Sequence, residues 1–275
     1  MKNLIIRTLT AFVYAGTITF SVIYSPWTFL ALFMIIIILC SREFYRMIDT
    51  TGDTKINPYI HGTGGALLFL TVFLFVSDIA GRYIFSLYLL YIVGTMIYEL
   101  FSKHKNPITR LSYIILGQCY IALPLTILNL LAFPDSTANP PYRWIWIIAL
   151  FVFIWANDSG AYLVGVMFGK HRLWERISPK KSWEGFFGGL SFAIISAFIF
   201  AHYYQHIALC HWIALSIGVV IFGTFGDLFE SLIKRSVEVK DSGRLLPGHG
   251  GFLDRFDSLL FAIYAIFIYI QIIAS

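Results

Sequence analysis

Residues 227–258 read DLFESLIKRSVEVKDSGRLLPGHGGFLDRFDS and lie between two long apolar runs. The stretch is dense in acidic and basic side chains, whereas only 13% of the whole chain is charged. Charged side chains inside a hydrocarbon layer are costly, so this density does not belong in lipid. We therefore expect the stretch to lie in water or against a charged ligand, and to connect two membrane-spanning segments.

The rest of the chain is too apolar for a water-soluble domain. Of its 275 residues, 58% are hydrophobic, and the mean hydropathy is +0.76. An α-helix needs about 20 apolar residues to cross a hydrocarbon core of about 30 Å. Backbone groups in lipid must be satisfied within their own segment, which favours helices. The sequence predicts an all-α polytopic membrane protein with a polar site facing the cytoplasm.

Hydropathy predicts about nine transmembrane helices. Their approximate bounds are 8–24, 26–41, 60–77, 83–100, 110–133, 144–169, 185–205, 207–228 and 257–274. Lys2 and Arg7 precede the first apolar run, as in a signal peptide. We expect a retained helix instead, because no small-residue cleavage site follows Tyr24 and more spans come after it.

The distribution of Lys and Arg predicts the orientation. With nine spans, 18 of the 20 cationic residues fall on one side, and only Arg82 and Arg143 fall on the other. The positive-inside rule then places the amino terminus in the cytoplasm. The loops predicted on the same side are 42–59, 101–109, 170–184 and 229–256.

Polar residues suited to chemistry gather after about position 155. We therefore divide the chain into an amino-terminal scaffold of about five helices, residues 1–140, and a catalytic region, residues 141–275. Within the catalytic region, the cytoplasmic loops 170–184 and 229–256 carry the motifs.

Asp158 lies inside the sixth predicted span, about 16 Å of helix from its cytoplasmic end. Helical spacing places it on one face with Tyr162, Gly165 and Gly169. A carboxylate at this depth indicates a functional site, with a structural ion pair as the alternative. The two glycines also fit a GxxxG packing motif.

Two polar stretches have the composition of phosphate-binding sites. The first is SPKKSWEG, residues 178–185, which combines cations, hydroxyl groups and a helix start. Its alternative role is attraction to anionic lipid headgroups. The second is GDLFESLIKR, residues 226–235, where Asp227, Glu230, Ser231 and Lys234 share a helical face. A Glu230–Lys234 pair is the simple interpretation there, whereas Asp227 is expected to bind a hard cation.

The polar stretch ends in PGHGG, residues 247–251, and DRFD, residues 254–257. Glycine allows close approach of the backbone to a ligand. Asp257 fits either a ligand site or a helix cap. Carboxylates near many cations predict Mg²⁺ held partly by the protein and partly by substrate phosphates. The P-loop, GxGxxG and GxSxG motifs are absent.

The run SLIKRSVEVKDSGRLLPGHGGFLDRFD, residues 231–257, resembles the signature of phosphatidate cytidylyltransferases, also called CDP-diacylglycerol synthases. NDSGAY at 157–162, SPKKSWEG at 178–185 and GDLFES at 226–231 resemble the same family in order and spacing. One departure is Ser182, where the family often has Thr, and it keeps the hydroxyl group. The similarity covers about residues 150–275.

This resemblance implies transfer of the cytidylyl group of CTP to phosphatidic acid, with release of pyrophosphate. It further implies Mg²⁺ bound by Asp227 and Asp254, a second cation such as K⁺ beside it, and a homodimer that does not bind nucleic acid. The compact chain indicates a bacterial inner membrane.

The residues assigned to catalysis and those assigned to substrate binding form two groups. The catalytic candidates are Asp227, Asp254, Lys234, Arg235, Lys240, Asp241, His249 and Arg255. The substrate-binding candidates are Asp158, Lys170, Ser178, Lys180, Lys181, Ser182, Glu184, Ser231, Gly250, Gly251 and Asp257.

Two other functions remain as alternatives. An ion-coupled or proton-coupled secondary transporter would use Asp158 and Asp227 as carriers, but repeated halves with broken helices are not visible. A CDP-alcohol phosphotransferase would need its DGx2ARx8Gx3Dx3D pattern, which the sequence lacks.

Overall fold

The computed structural model describes residues 2–49, 55–134, 142–243 and 250–274. Within these ranges the chain is mainly helical. The α-helices are α1 Lys2–Tyr24, α2 Pro26–Asp49, α3 Pro58–Val76, α4 Ser86–Phe101, α5 Pro107–Gly117, α6 Leu123–Ala132, α7 Ile145–Phe168, α8 Trp183–Tyr203, α9 Leu209–Ser236 and α10 Asp257–Ala274. The strands are β1 Arg172–Trp174 and β2 Ser178–Ser182, and short 3-10 helices occupy Arg82–Phe85 and Leu253–Arg255.

The predicted polytopic membrane fold is confirmed. In the described residues, seven helical segments are long and apolar enough to cross a membrane. Two shorter apolar segments, Leu9–Tyr24 and Asp257–Ile272, bring the total close to the predicted nine. Each predicted span coincides with a helical segment, because the bilayer thickness sets the minimum length of an apolar run.

The fifth span is interrupted by a π-helical turn, Gln118–Ala122, which joins α5 to α6. The N–H of Leu123 bonds the carbonyl oxygen of Gln118, five residues earlier. Pro124 follows directly and has no N–H to donate, so a regular α-helical ladder is broken at this point. The wider turn accommodates that break and keeps the segment continuous.

Residues 170–184, predicted as a polar loop, contain a small antiparallel hairpin of β1 and β2. Arg172 pairs with Ser182 and Trp174 with Ser178, with an irregularity between the two pairs. The hairpin lies directly before α8. It gives the motif SPKKS a defined backbone, since those five residues are β2 itself.

The chain divides into two compact units. The first comprises Met1–Trp144 and Val237–Arg255, and in it α2 packs against α1, α3 and α5. Stacked aromatic rings of α2 and α3, including Phe33 and Phe69, fill its interior. The predicted division into scaffold and catalytic region concerns function and stays a prediction.

The second unit comprises Ile145–Ser236 and Phe256–Ser275. In it α7 packs along α8, and α9 packs along α10. Trp212 is fully buried and contacts the rings of Trp146 and Phe200.

Candidate functional site

A cavity of about 480 Å³ lies within the second unit. It is bounded by α7, the hairpin, the first turn of α8, α9 and the start of α10. Its lining residues are Asn157, Asp158, Ala161, Tyr162, Gly165, Val166, Leu173, Lys180, Lys181, Ser182, Gly185, Phe186, Thr224, Asp227 and Ser258. The polar members carry both signs of charge, so the cavity is suited to an ionic ligand.

Asp227 and Lys181 form an ion pair in this cavity. The Nζ atom of Lys181 contacts the Oδ2 atom of Asp227. The other carboxylate oxygen of Asp227 accepts a hydrogen bond from the Ser231 hydroxyl group, one turn further along α9, at 3.4 Å. Both members of the ion pair are partly exposed, with side chains about 27% and 30% accessible. An incoming phosphate or cation can therefore reach either charge.

Asp158 reaches the same cavity from α7. Its neighbour Asn157 donates an amide N–H to Asp158 Oδ1 at 3.5 Å. Asp257, at the start of α10, lies in electrostatic range of Asp158 and Asp227. Carboxylates from three α-helices thus lie close enough to repel one another.

Small residues let α7 and α8 approach closely beside the cavity. A Cβ atom at Gly165 would lie 3.6 Å from the Cα atom of Gly185, and one at Gly188 would lie 2.4 Å from Val164. A Cβ atom at Gly165 would make ordinary van der Waals contacts, so the packing role of the glycines in α7 stays a prediction. The close approach places Ser182 and Lys181 next to the α7 face that carries Asp158.

Hydrogen bonds connect the hairpin to the start of α8. The Ser182 hydroxyl accepts the N–H of Gly185 at 3.2 Å, which caps the start of α8. The Glu184 carboxylate accepts the backbone N–H groups of Lys170 and His171 at 3.1 and 3.2 Å and contacts His171 Nδ1 at 2.6 Å. Glu184 therefore closes the base of the hairpin and does not line the cavity.

At the cytoplasmic end predicted for α9, Lys234 contacts Glu230 at 2.9 Å. The simple i to i+4 interpretation of this pair is confirmed, and Glu230 is fully buried. Asp257 is the first residue of α10, and its carboxylate accepts the N–H of Ser258 at 2.5 Å. That bond goes to the adjacent residue, so the capping alternative for Asp257 stays a prediction.

In the first unit, Asp254 lies in a tight turn after the glycine pair. Its carboxylate accepts the N–H of Gly251 at 2.9 Å and the N–H of Ser242 at 3.3 Å. Gly250 has a φ of +84°, a left-handed conformation that favours glycine. The turn fixes the direction of the Asp254 side chain from two sides.

A family model described as the cytidylyltransferase family matches residues 5–273. The chain belongs to the cytidylyltransferase family. Three curated relatives are each named phosphatidate cytidylyltransferase. The Haemophilus influenzae protein is 44% identical over 135 residues, the Bacillus subtilis protein 39% over 179, and the Staphylococcus aureus protein 38% over 168.

The aligned regions cover 47%, 65% and 60% of this chain, in the same order. They span 47%, 63% and 61% of the relatives' own lengths. The resemblance read from the motifs is therefore confirmed at the level of the family.

The structure separates the sequence-assigned residues into groups. Asp158, Lys180, Lys181, Ser182 and Asp227 line the cavity. The remaining candidates of the second unit lie outside its lining, namely Lys170, Ser178, Glu184, Ser231, Lys234, Arg235 and Asp257. The first unit contains Lys240, Asp241, Gly250, Gly251, Asp254 and Arg255. His249 lies outside the described residues.

Sequence reasoning missed several polar residues around these groups. Asn157, Thr224 and Ser258 line the cavity. Thr224 lies three positions before Asp227 on α9, so helical spacing was a usable signal for it. Asn157 and Ser258 are adjacent in sequence to Asp158 and Asp257, a spacing that does not place two residues on one helical face. In the first unit, no motif or periodic pattern pointed to Glu43 and Ser242, which contact each other at 3.1 Å.

Asp227 lines the cavity and Asp254 does not, and each offers hard carboxylate oxygens of the kind that Mg²⁺ prefers. None of the described residues that line the cavity carries a thiol or an imidazole. Within the described ranges, no three His, Cys, Asp or Glu side chains form a cluster able to hold a metal. A Mg²⁺ ion bound by these residues would therefore need water or substrate phosphates to complete its coordination.

Proposed function

We propose that this protein transfers the cytidylyl group of CTP to phosphatidic acid, forming CDP-diacylglycerol and pyrophosphate. The cavity of the second unit carries this proposal, because its two parts differ in character. Lys180, Lys181 and Asp227 form a charged part. The exposed side chains of Tyr162 and Val166 form an apolar part. A lipid that bears a phosphate matches both parts.

The reaction needs positioning and charge compensation more than a strong base. The phosphate monoester of phosphatidic acid is already anionic near neutral pH, and one of its oxygens attacks the α-phosphorus of CTP. A new P–O bond forms, and the bond from the α-phosphorus to the pyrophosphate oxygen breaks. Negative charge moves onto the leaving pyrophosphate, so cations close to it lower the barrier.

Lys181 and Lys180 supply such cations. In the structure Lys181 is paired with Asp227. A triphosphate that binds Lys181 in place of Asp227 would leave the Asp227 carboxylate available for a cation. We propose that Asp227 and Asp254 hold Mg²⁺. When bound, Mg²⁺ would neutralise phosphate oxygens and stabilise the leaving pyrophosphate. Asp227 belongs to the second unit and Asp254 to the first.

The setting of the reaction belongs to the same proposal. The charge distribution supports an active site on the cytoplasmic side of a bacterial inner membrane. A homodimer and a second cation such as K⁺ follow from the family resemblance alone. In the described residues, nothing favours the ion-coupled transporter, and membership of the cytidylyltransferase family favours the enzyme.

The test is incubation of purified protein in mixed micelles with phosphatidic acid and each of the four ribonucleoside triphosphates. We expect pyrophosphate release with CTP, dependent on both phosphatidic acid and Mg²⁺. The lipid product should carry the cytidine label. Equal release without lipid, or equal release from all four nucleotides, would contradict the proposal.

A further inference from the structure

Glu43 is a buried carboxylate in an apolar helix, and no motif includes it. It lies in α2, with only 4% of its surface exposed. Burial of a charged group is costly unless hydrogen bonds replace its water. The hydrogen-bond donors to Glu43 therefore indicate which part of the protein this buried carboxylate stabilises.

Both contacts of Glu43 go to the segment that carries Asp254. The Oε2 atom accepts the backbone N–H of Leu253 at 2.8 Å and the hydroxyl of Ser242 at 3.1 Å. These donors are 210 and 199 positions away in sequence. A single carboxylate oxygen of α2 thus binds both Ser242 and Leu253, the residue before Asp254.

The two residues that bind Glu43, Ser242 and Leu253, are also directly connected to Asp254. Ser242 donates its hydroxyl to Glu43 and its backbone N–H to Asp254. Leu253 donates to Glu43 and is the residue before Asp254. A shift of the Glu43 carboxylate would therefore move two of the groups that set the direction of the Asp254 side chain.

The backbone at two glycines packs closely against the Glu43 carboxylate. A Cβ atom at Gly243 would lie 2.3 Å from Glu43 Oε1. One at Gly251 would lie 2.7 Å from Glu43 Oε2 and 1.9 Å from the Ser242 hydroxyl oxygen. Among the described residues, Oε1 is buried and has no hydrogen-bond partner. Burying a carboxylate with one unpaired oxygen is costly, so a residue that only filled space here would be better apolar.

We propose that Glu43 is a positioning residue that orients Asp254 for metal binding, an inference that rests on the proposed function. Glu43 acts through Ser242 and through the backbone of Leu253, and it does not touch the substrate. Groups that orient a metal ligand typically change metal affinity by about 10-fold to 100-fold when altered. Replacement of Glu43 should therefore weaken metal binding, an effect that a general loss of protein stability would not produce.

The test is a titration of the purified protein in detergent with Mn²⁺, a Mg²⁺ substitute detected by electron paramagnetic resonance, without substrates. We expect Glu43→Gln to weaken Mn²⁺ binding by about tenfold, since the neutral amide is a poorer acceptor for the two donors. Ser242→Ala removes one donor and keeps the N–H to Asp254. It should weaken binding in the same direction by less, and it keeps the test valid if Glu43→Gln fails to fold.

Glu99→Gln is the matched control. Glu99 is also buried in the first unit, where it pairs with Arg110 at 2.7 Å. Breaking that pair should lower the melting temperature, because it leaves Arg110 buried without its counter-charge. Mn²⁺ affinity should stay within about twofold of the parent protein, since the contacts of Glu99 go to Arg110 and Ser102, away from Ser242 and Asp254.

The outcomes separate the inference from the proposed function. If Asp254→Asn abolishes Mn²⁺ binding while Glu43→Gln and Ser242→Ala bind like the parent, Glu43 is only structural and the inference is wrong. If Asp254→Asn binds Mn²⁺ normally, the assigned metal ligand itself is wrong, and the inference falls with it. A parent protein without a saturable Mn²⁺ site overturns both.

Discussion

Lys181 has two possible roles, and its position favours one. A basic residue next to a membrane can attract anionic headgroups, at about 1 kcal/mol for each residue. Lys181 instead lines the cavity and contacts Asp227. A cation in such a place is expected to bind the triphosphate and to act most strongly as charge moves onto pyrophosphate.

Lys181→Gln should lower kcat by about 100-fold and raise KM for CTP, because it removes a fixed positive charge from the leaving group. Raising the phosphatidic acid content should not restore activity. Steady-state kinetics in mixed micelles, varying CTP and the surface fraction of lipid independently, measure both effects. Lys103→Gln is the control, since Lys103 is exposed between α4 and α5. If Lys181→Gln changes only the dependence of the rate on the surface fraction of phosphatidic acid, Lys181 attracts lipid headgroups and does not bind CTP.

Among the elements, the hairpin is the part of the site that hydropathy could not predict. Its sequence is polar and short, and β1 has only three residues. The side-chain hydrogen bonds that hold its base run from Glu184 back to Lys170 and His171, 14 and 13 positions earlier. Such contacts across a turn leave no periodic signal in the sequence.

Glu184→Ala should loosen the base of the hairpin, because it removes the acceptor for two backbone N–H groups and for the His171 ring. We expect faster hydrogen exchange at residues 170–172 and a higher KM for CTP, while α8 stays protected. Glu175→Ala is the matched control, as Glu175 is an exposed acid in the turn between the strands. Equal exchange in the two variants would mean that Glu184 does not hold the hairpin.

Helix α9 shows how far sequence periodicity extends. Its apolar run ends near residue 228, yet the helix continues to Ser236. The additional turns are supported by the contacts of Ser231 with Asp227 and of Lys234 with Glu230. These pairs were predictable because i and i+4 residues are neighbours on any helix. The contact of Glu43 with Leu253 was not, since it depends on how distant segments pack.

For the molecule as a whole, hydropathy predicted each apolar helical segment that the described residues contain. The number of spans also determines the orientation, because one span more or fewer would scatter the 18 cationic residues over both sides. The side of the membrane that the active site faces therefore depends on the number of spans. Loops at opposite ends of the helices provide a direct test of that count.

We predict that the loop between α4 and α5 faces the cytoplasm and that the loop between α8 and α9 faces outward. The test introduces Lys103→Cys or Gln205→Cys, both at exposed positions, into a variant with Cys40→Ala, Cys119→Ser and Cys210→Ser. In spheroplasts, a membrane-impermeant maleimide should label the cysteine at 205 at once and the cysteine at 103 only after the membrane is opened. The cysteine-free parent sets the background. Labelling of both positions in sealed spheroplasts would refute the nine-span arrangement, because an odd number of spans separates residues 103 and 205 in it.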